Sequence, residues 1–314
     1  MAKKNRNRQR AETTPTEPGE VGPRQPCPCG SGKRYKACHG AAGGGDVYVA
    51  RPFEGLASEG DVVALRELVP AATAPLTLRD DVDAHGRTVT LCTLAPGAVP
   101  AVVRDSGEVL LGLQVQHSFG DPSRDLAAVL LAALEAEPGA VGLTDAPGPG
   151  PRLQDLVVDA PLDITVHEGY GYWVEESDQS PEVAELLEQA DDQAAPTARL
   201  ASVASAYWTR MGSKEHLRWV MPEPEGELLD ALARLHAAGT DTLIPEGRLV
   251  GMFRAHGLLT PVWDLPVGTG AEALEDPAAD FKTALDAALA EKAPLTSEER
   301  SARSGLANRQ VTIR

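Results

Sequence analysis

Three of the chain's four cysteines and a histidine fall within one short run: Cys27-Pro28-Cys29-Gly30-Ser31-Gly32-Lys33-Arg34-Tyr35-Lys36-Ala37-Cys38-His39. Thiolate and imidazole together suit a tetrahedral Zn²⁺, with Zn–S near ~2.3 Å and Zn–N near ~2.0 Å. Pro28 stiffens the Cys-x-Cys turn, and Gly30 and Gly32 permit the positive φ that lets backbone N–H groups turn towards sulfur. So short a segment buries no core of its own, so bound metal would supply its folding energy. Four candidate ligands close the coordination shell, which makes the expected zinc structural, one per chain.

Cys27-x-Cys29, eight residues, then Cys38-His39, with Gly-Ser-Gly-Lys-Arg-Tyr-Lys between, resembles the SEC-C zinc motif of the C-terminal tail of the SecA translocation ATPase. The resemblance covers about residues 24–40. It implies that Cys27, Cys29, Cys38 and His39 are the ligands, and that Lys33, Arg34 and Lys36 stand where that tail presents basic side chains. In SecA the tail is a docking module for the export chaperone SecB and the ribosome, so a protein partner with an acidic surface, or the ribosome, is the expected partner here. The departures are plain. The motif is N-terminal, and the sequence has no Gly-x-x-x-x-Gly-Lys-[Ser/Thr] phosphate loop, so a SecA ATPase is not expected. Residues 46–314 resemble an actinobacterial family of unknown function whose members are often mislabelled as preprotein translocase SecA, a label borrowed from the zinc motif.

The elements that would carry such a head divide by composition. Residues 1–25 are polar and rich in Arg, Thr, Pro and Glu, and are expected to be a disordered basic tail. The zinc knuckle occupies 26–40, and Ala41-Ala42-Gly43-Gly44-Gly45 reads as a flexible linker over 41–45. Residues 1–40 hold nine Lys and Arg against three Glu, a net +6, so residues 41–314 carry −23 against −17 for the whole chain. A basic head on an acidic body leaves nucleic acid accessible only to residues 1–40. No apolar run approaches the ~20 residues of a membrane span, and no apolar stretch follows the charged N-terminus. The cytoplasm is the expected compartment, and its reducing conditions favour the metal reading of the clustered cysteines.

Over 46–314 the pattern predicts an α+β fold of antiparallel hairpins alternating with helices in ββα order. Val102–Arg104 and Glu108–Leu110 read as a hairpin turning at Asp105-Ser106-Gly107, with Val103 opposite Val109 and Arg104 opposite Glu108. Asp121-Pro122 opens a helix to about Glu137. The Pro/Gly run 147–151 is the candidate internal boundary. A second hairpin turns at Gly212-Ser213 and sets Ala206, Trp208 and Arg210 opposite Trp219, Leu217 and Glu215. One face is then apolar, with Tyr207, Thr209, His216 and Arg218 on the other. A helix of about Glu225–Ala238 ends at Gly239, a third hairpin over Arg248–Leu265 turns at His256-Gly257, and Asp276-Pro277 starts a helix to about Lys292. The final stretch, 305–314, is either a closing strand or a binding tail, and reads as a docked segment because Val311 and Ile313 alternate with polar residues.

Catalytic signals in the body are sparse. Cys92, in the strand-like Val89–Leu94, reads as a small core hydrophobe. The six histidines outside the knuckle (85, 117, 167, 216, 236 and 256) show no His-x-x-x-His spacing. His167, in His167-Glu168-Gly169-Tyr170-Gly171-Tyr172-Trp173-Val174-Glu175-Glu176, is either general acid–base material, if the chain turns to bring a carboxylate to it, or part of a hairpin with aromatic cross-strand pairs and solvated acids. His216, beside Glu215, Tyr207 and Arg210, offers a second cleft. Gly268-Thr269-Gly270 lacks the third glycine of a dinucleotide loop. The reading is therefore a non-enzymatic adaptor, with an enzyme of unknown class, recruited by the knuckle, as the alternative.

Overall fold

A computed structural model describes residues 25, 34, 48–174 and 181–312. The zinc knuckle and the linker, with the tail apart from Gln25, lie outside the described residues, Arg34 excepted. Val49–Arg314 forms one compact unit and Met1–Tyr48 falls in another. Among the described residues there are seven α-helices and twelve strands in two six-stranded sheets, mostly antiparallel. The fold is α+β, as the pattern predicts.

The first sheet comprises β1 (Ala72–Leu76), β2 (Val89–Cys92), β3 (Ala101–Val103), β4 (Val109–Gly112), β5 (Gly139–Val141) and β6 (Thr165–Val166), in the order β5-β3-β4-β2-β1-β6. The β3–β4 hairpin has the predicted register, Val103 opposite Val109, and an Arg104–Glu108 ion pair closes it. Only β2 and β4 run parallel in this sheet. Alternation along these strands sends Val89, Leu91, Ala101, Val103, Val109 and Leu111 into a core shared with helices, while Cys92, Val102 and Leu110 face the other way. On the helical side lie α1 (Glu59–Glu67), α2 (Pro122–Glu135) and the short α3 (Leu153–Leu156). α2 begins as predicted, with the Asp121 side chain accepting from Arg124 N–H and Pro122 at the first position.

The Pro/Gly run 147–151 is gathered onto α2 by Arg124, whose guanidinium donates to the carbonyls of Pro147, Gly148 and Pro151 at 3.2, 2.9 and 3.3 Å. Leu134 before it and Leu153 after it lie in one core. The change of sheet comes later, between Val166 and Thr197, across α4 (Pro181–Asp191).

The second sheet comprises β7 (Thr197–Arg199), β8 (Ala206–Met211), β9 (Lys214–Trp219), β10 (Arg248–Ala255), β11 (Leu258–Leu265) and β12 (Gln310–Thr312), in the order β12-β10-β11-β9-β8-β7. The β8–β9 hairpin keeps the predicted register, Ala206, Trp208 and Arg210 facing Trp219, Leu217 and Glu215, and β10 and β11 form the second predicted hairpin. The second turns at His256 (φ 46°) and Gly257 (φ 82°), the two successive positive values of a tight hairpin turn. Helices α5 (Glu225–Ala237), α6 (Glu275–Ala290) and α7 (Ser297–Asn308) cover one face over Trp219, Trp263 and Phe281. β12 adds in parallel to β10, so of the final stretch 310–312 is docked as a strand; 305–308 closes α7, and Ile313 and Arg314 lie outside the described residues.

The opposite face of this sheet is not a solvent face. Tyr207, Val220, Ala255 and Leu258 join the core of the first sheet, with α1 wedged against them. The fit is close at Gly60, where a Cβ would stand 2.6 Å from Ser205 Oγ and 3.0 Å from Ser205 Cβ. Ser205 itself has φ 59°, in the left-handed region. In an open helix Gly→Ala stabilises by up to ~1 kcal/mol. Gly60→Ala is expected to lower the melting temperature instead, and adding Ser205→Gly, which removes both the clash and the left-handed side chain, should recover the loss in thermal melts.

Candidate functional site

Period-2 alternation puts Tyr207, Thr209, His216 and Arg218 on the side of β8 and β9 that faces α1. The first turn of α1 meets them with a carboxylate: Tyr207 Oη donates to Asp61 Oδ1 at 2.8 Å, and Arg199 Nη2 to Asp61 Oδ2 at 3.1 Å. Asp61 is buried. Burial and then the Asp61 charge push the Tyr207 hydroxyl far above its ordinary range, so it stays a donor. Burial lowers Arg199, but Asp61 outweighs it and the net shift is upward. Glu59, also buried, is clamped by Arg51, Nε to Oε1 at 2.6 Å and Nη2 to Oε2 at 2.7 Å. At the other end of α1, Arg218 donates to Leu68 O at 3.0 Å, and burial pulls it down to about 10. Gln114 Nε2 donates to Leu65 O and Val69 O. Cations and amides thus meet the carbonyl end and carboxylates the amide end, as the helix dipole favours.

The two histidine clefts resolve differently from their sequence readings. His216 and Glu215 are on opposite faces, and the carboxylate near His216 comes from β11: Nδ1 lies 2.9 Å from Asp264 Oδ1, off the line of a hydrogen bond. Its strand neighbour Thr209 is fully buried, so no hydroxyl there is open to a substrate. His167 Nε2 meets a hydroxyl, Thr73 Oγ1 at 2.8 Å, and burial lowers its pKa. Glu175 and Glu176 lie outside the described residues, and as far as Val174 the run after it is not a hairpin. It forms a 3-10 turn, Gly171–Trp173, that covers the outer face of the first sheet: Tyr172 packs over Cys92, Val102 and Leu110, and Tyr172 Oη and Trp173 Nε1 both donate to Leu94 O. Cys92 is buried, its thiol pushed up to about 12, as a core residue should be. His236 and His256 pair with Asp241 and Glu67 at 2.6 and 2.7 Å.

The Gly268-Thr269-Gly270 loop does bind an anion, an internal one. Gly268 N–H and Gly270 N–H donate to the two oxygens of Glu215 at 2.7 and 2.9 Å, and Trp208 Nε1 adds a third bond at 2.9 Å. Two backbone N–H groups of one tight loop, on either side of Thr269, cradle a negative charge here much as such groups do for phosphate. Asp61, Arg199, Arg218 and this use of Glu215 escape sequence reading, since their partners lie 53 to 150 residues away. Among the described residues, no group of three or more His, Cys, Asp or Glu side chains is set to hold a metal.

The expected metal ligands, Cys27, Cys29, Cys38 and His39, lie outside the described residues, as do Lys33 and Lys36, while Arg34 is exposed. Residues 24–41 match the SEC-C motif, which is of a zinc-binding type. Three thiols and an imidazole are a donor set suited to that metal. Residues 52–314 match the family described as "Family of unknown function (DUF5926)", and the chain belongs to it. A 34-residue segment is 59% identical to "Protein translocase subunit SecA" of Thiobacillus denitrificans (strain ATCC 25259 / T1), covering 10% of this chain and 4% of that protein. The chain thus spans about a twenty-fifth of the length of that relative. No solved structure matches. Among the described residues no helix is long and apolar enough to cross a membrane.

The Glu215 cradle yields a pH dependence. Burial would raise this carboxyl, but the Gly270 and Gly268 N–H groups and the Trp208 indole outweigh it and hold it below its ordinary range. A value depressed by folding contributes stability above the unfolded pKa, and that contribution is lost as pH falls through the folded one. Glu215→Gln sets an amide NH2 against these donors and is expected to cost roughly 1–3 kcal/mol at neutral pH. In urea titrations the gap to the wild type should begin to narrow below pH ~4 and close only once the pH is below the depressed folded pKa.

Proposed function

We propose that this chain is a cytoplasmic zinc-binding adaptor whose basic SEC-C head docks onto an acidic partner, the ribosome or the protein-export machinery, while the α+β body is carried with it as a separate unit. One observation carries the reading, the SEC-C match over residues 24–41 with its complete set of three cysteines and a histidine. Cys27, Cys29, Cys38 and His39 would hold one Zn²⁺. The metal would supply fold rather than chemistry, since four protein ligands leave no position for water or substrate. Three thiolates and a neutral imidazole around Zn²⁺ sum to −1, which Lys33, Arg34 and Lys36 would more than offset. The head then presents positive charge while the body, at −23 for residues 41–314, is repelled by the same partner. That division favours contact through the head alone. The sequence has no phosphate loop, so ATP-driven translocation forms no part of the reading.

Metal analysis of the purified protein is expected to give about one Zn per chain, lost in Cys29→Ser/Cys38→Ser. A full metal complement in that double variant would overturn the ligand assignment. For docking, the protein should co-sediment with ribosomes at low salt and release as salt screens the contact. Replacing Lys33, Arg34 and Lys36 by Ala should abolish co-sedimentation. Absence of co-sedimentation at any salt, or co-sedimentation indifferent to the three substitutions, refutes the ribosome as partner.

A further inference from the structure

One strand of the second sheet is held lightly. β12 spans three residues, Gln310–Thr312, and pairs in parallel with Met252–Arg254, whereas β10 runs for eight, Arg248–Ala255. The β10 edge therefore continues past β12 at both ends. Parallel pairing is the less stable kind per residue. So short a ladder returns about what its ordering costs, because a net hydrogen bond and the entropy of one fixed residue are of similar size. Beyond the ladder, Gln310 Nε2 donates to Glu225 Oε1 at a long 3.3 Å. Glu225 keeps two bonds from Arg254 without it, and α7 is anchored separately by buried Leu306 and by Arg303 on Asp230.

β10 is shaped for a backbone lying close against it. At Gly251 a Cβ would stand 2.8 Å from the Arg309 carbonyl oxygen, and the β10–β11 register slips between Leu249 and Gly251. A glycine inside a strand marks such a close approach. Left open, the edge would be a template for any extended chain. The stretch that covers it has a distinct charge. Residues 305–314 carry Arg309 and Arg314 and no acid, within residues 41–314 at −23.

We propose that the β10 edge is a docking site for an extended basic segment of a partner protein, added in parallel, and that β12 is a built-in occupant which that segment displaces. The N–H and C=O groups of Met252–Arg254 supply the affinity, as in other strand additions. Charge supplies the selectivity: the body is acidic, and a Lys or Arg in the place of Gln310 would give Glu225 a charge-assisted bond. Gly251 leaves room for the incoming backbone. Only β12 has to leave, since α7 and the Glu225–Arg254 pair stay as they are. The site lies wholly in the body and stands or falls apart from the role of the zinc head.

The test compares the full chain with one ending at Asn308, the last residue of α7. The probe is a fluorescein-labelled peptide of residues 309–314, Arg-Gln-Val-Thr-Ile-Arg, followed by fluorescence anisotropy. The shortened chain should keep a cooperative melt and bind the peptide saturably, at least tenfold more tightly than the full chain, where β12 competes. Replacing both arginines of the peptide by Glu should weaken binding at least tenfold. Gly251→Val in the shortened chain should abolish binding. Should that variant not fold, Glu225→Gln decides, since it leaves the edge intact and should narrow the margin between the two peptides. If the shortened chain is unfolded, pairs with itself or does not bind, the proposal fails. It fails equally if the full chain binds as well, or if charge reversal makes no difference.

Discussion

One buried carboxylate organises the body. Asp61 sits in the first turn of α1 with the Tyr207 hydroxyl on one oxygen and the Arg199 guanidinium on the other, so a helix before the first sheet is bonded to two strands of the second. Such a charge is tolerated only because both oxygens are answered, and deleting one member of a buried pair typically costs about 3–5 kcal/mol. The requirement propagates outward. α1 must lie flat on β8 and β9, position 60 must be glycine for it to do so, and the carbonyl end must find Arg218 and Gln114. Apolar burial of Val62, Val63 and Leu65, about 1.5–3 kcal/mol each, supplies the bulk of the attraction. The ion pairs determine which way the helix points.

That arrangement also explains which features were legible in the sequence. The three hairpins were, two of them with their registers, because a tight turn and strict alternation fix the pairing locally. α2 and α5 were legible from Asp121-Pro122, from leucines at helical spacing and from Gly239. α1 was not. It reads Glu-Gly-Asp-Val-Val-Ala-Leu-Arg-Glu, with acids where a buried helix should be apolar, and only the distant Arg51, Arg199 and Tyr207 make those acids acceptable. α7, with few apolar residues, and the parallel pairing of β12 escaped for a similar reason: tertiary contacts, not periodicity, hold them.

The candidate sites divide along the same line. The metal ligands were legible because they are close in sequence and chemically distinctive. In the body, proximity along the chain misled: His216 and Glu215 are neighbours in sequence and point to opposite faces, while Asp264, on another strand, supplies the nearby carboxylate. Gly268-Thr269-Gly270 lacks the third glycine of a nucleotide loop. The stronger reason is that its N–H groups are already spent on Glu215.

The core that takes Leu111 from the first sheet also takes Tyr207 and Leu258 from the second. No plane through the body separates the sheets without cutting through packed side chains. Fraying of either sheet would bare apolar surface on the other, so the two should melt in a single cooperative transition rather than in sequence. Whatever occupies one region of this body therefore biases the stability of all of it.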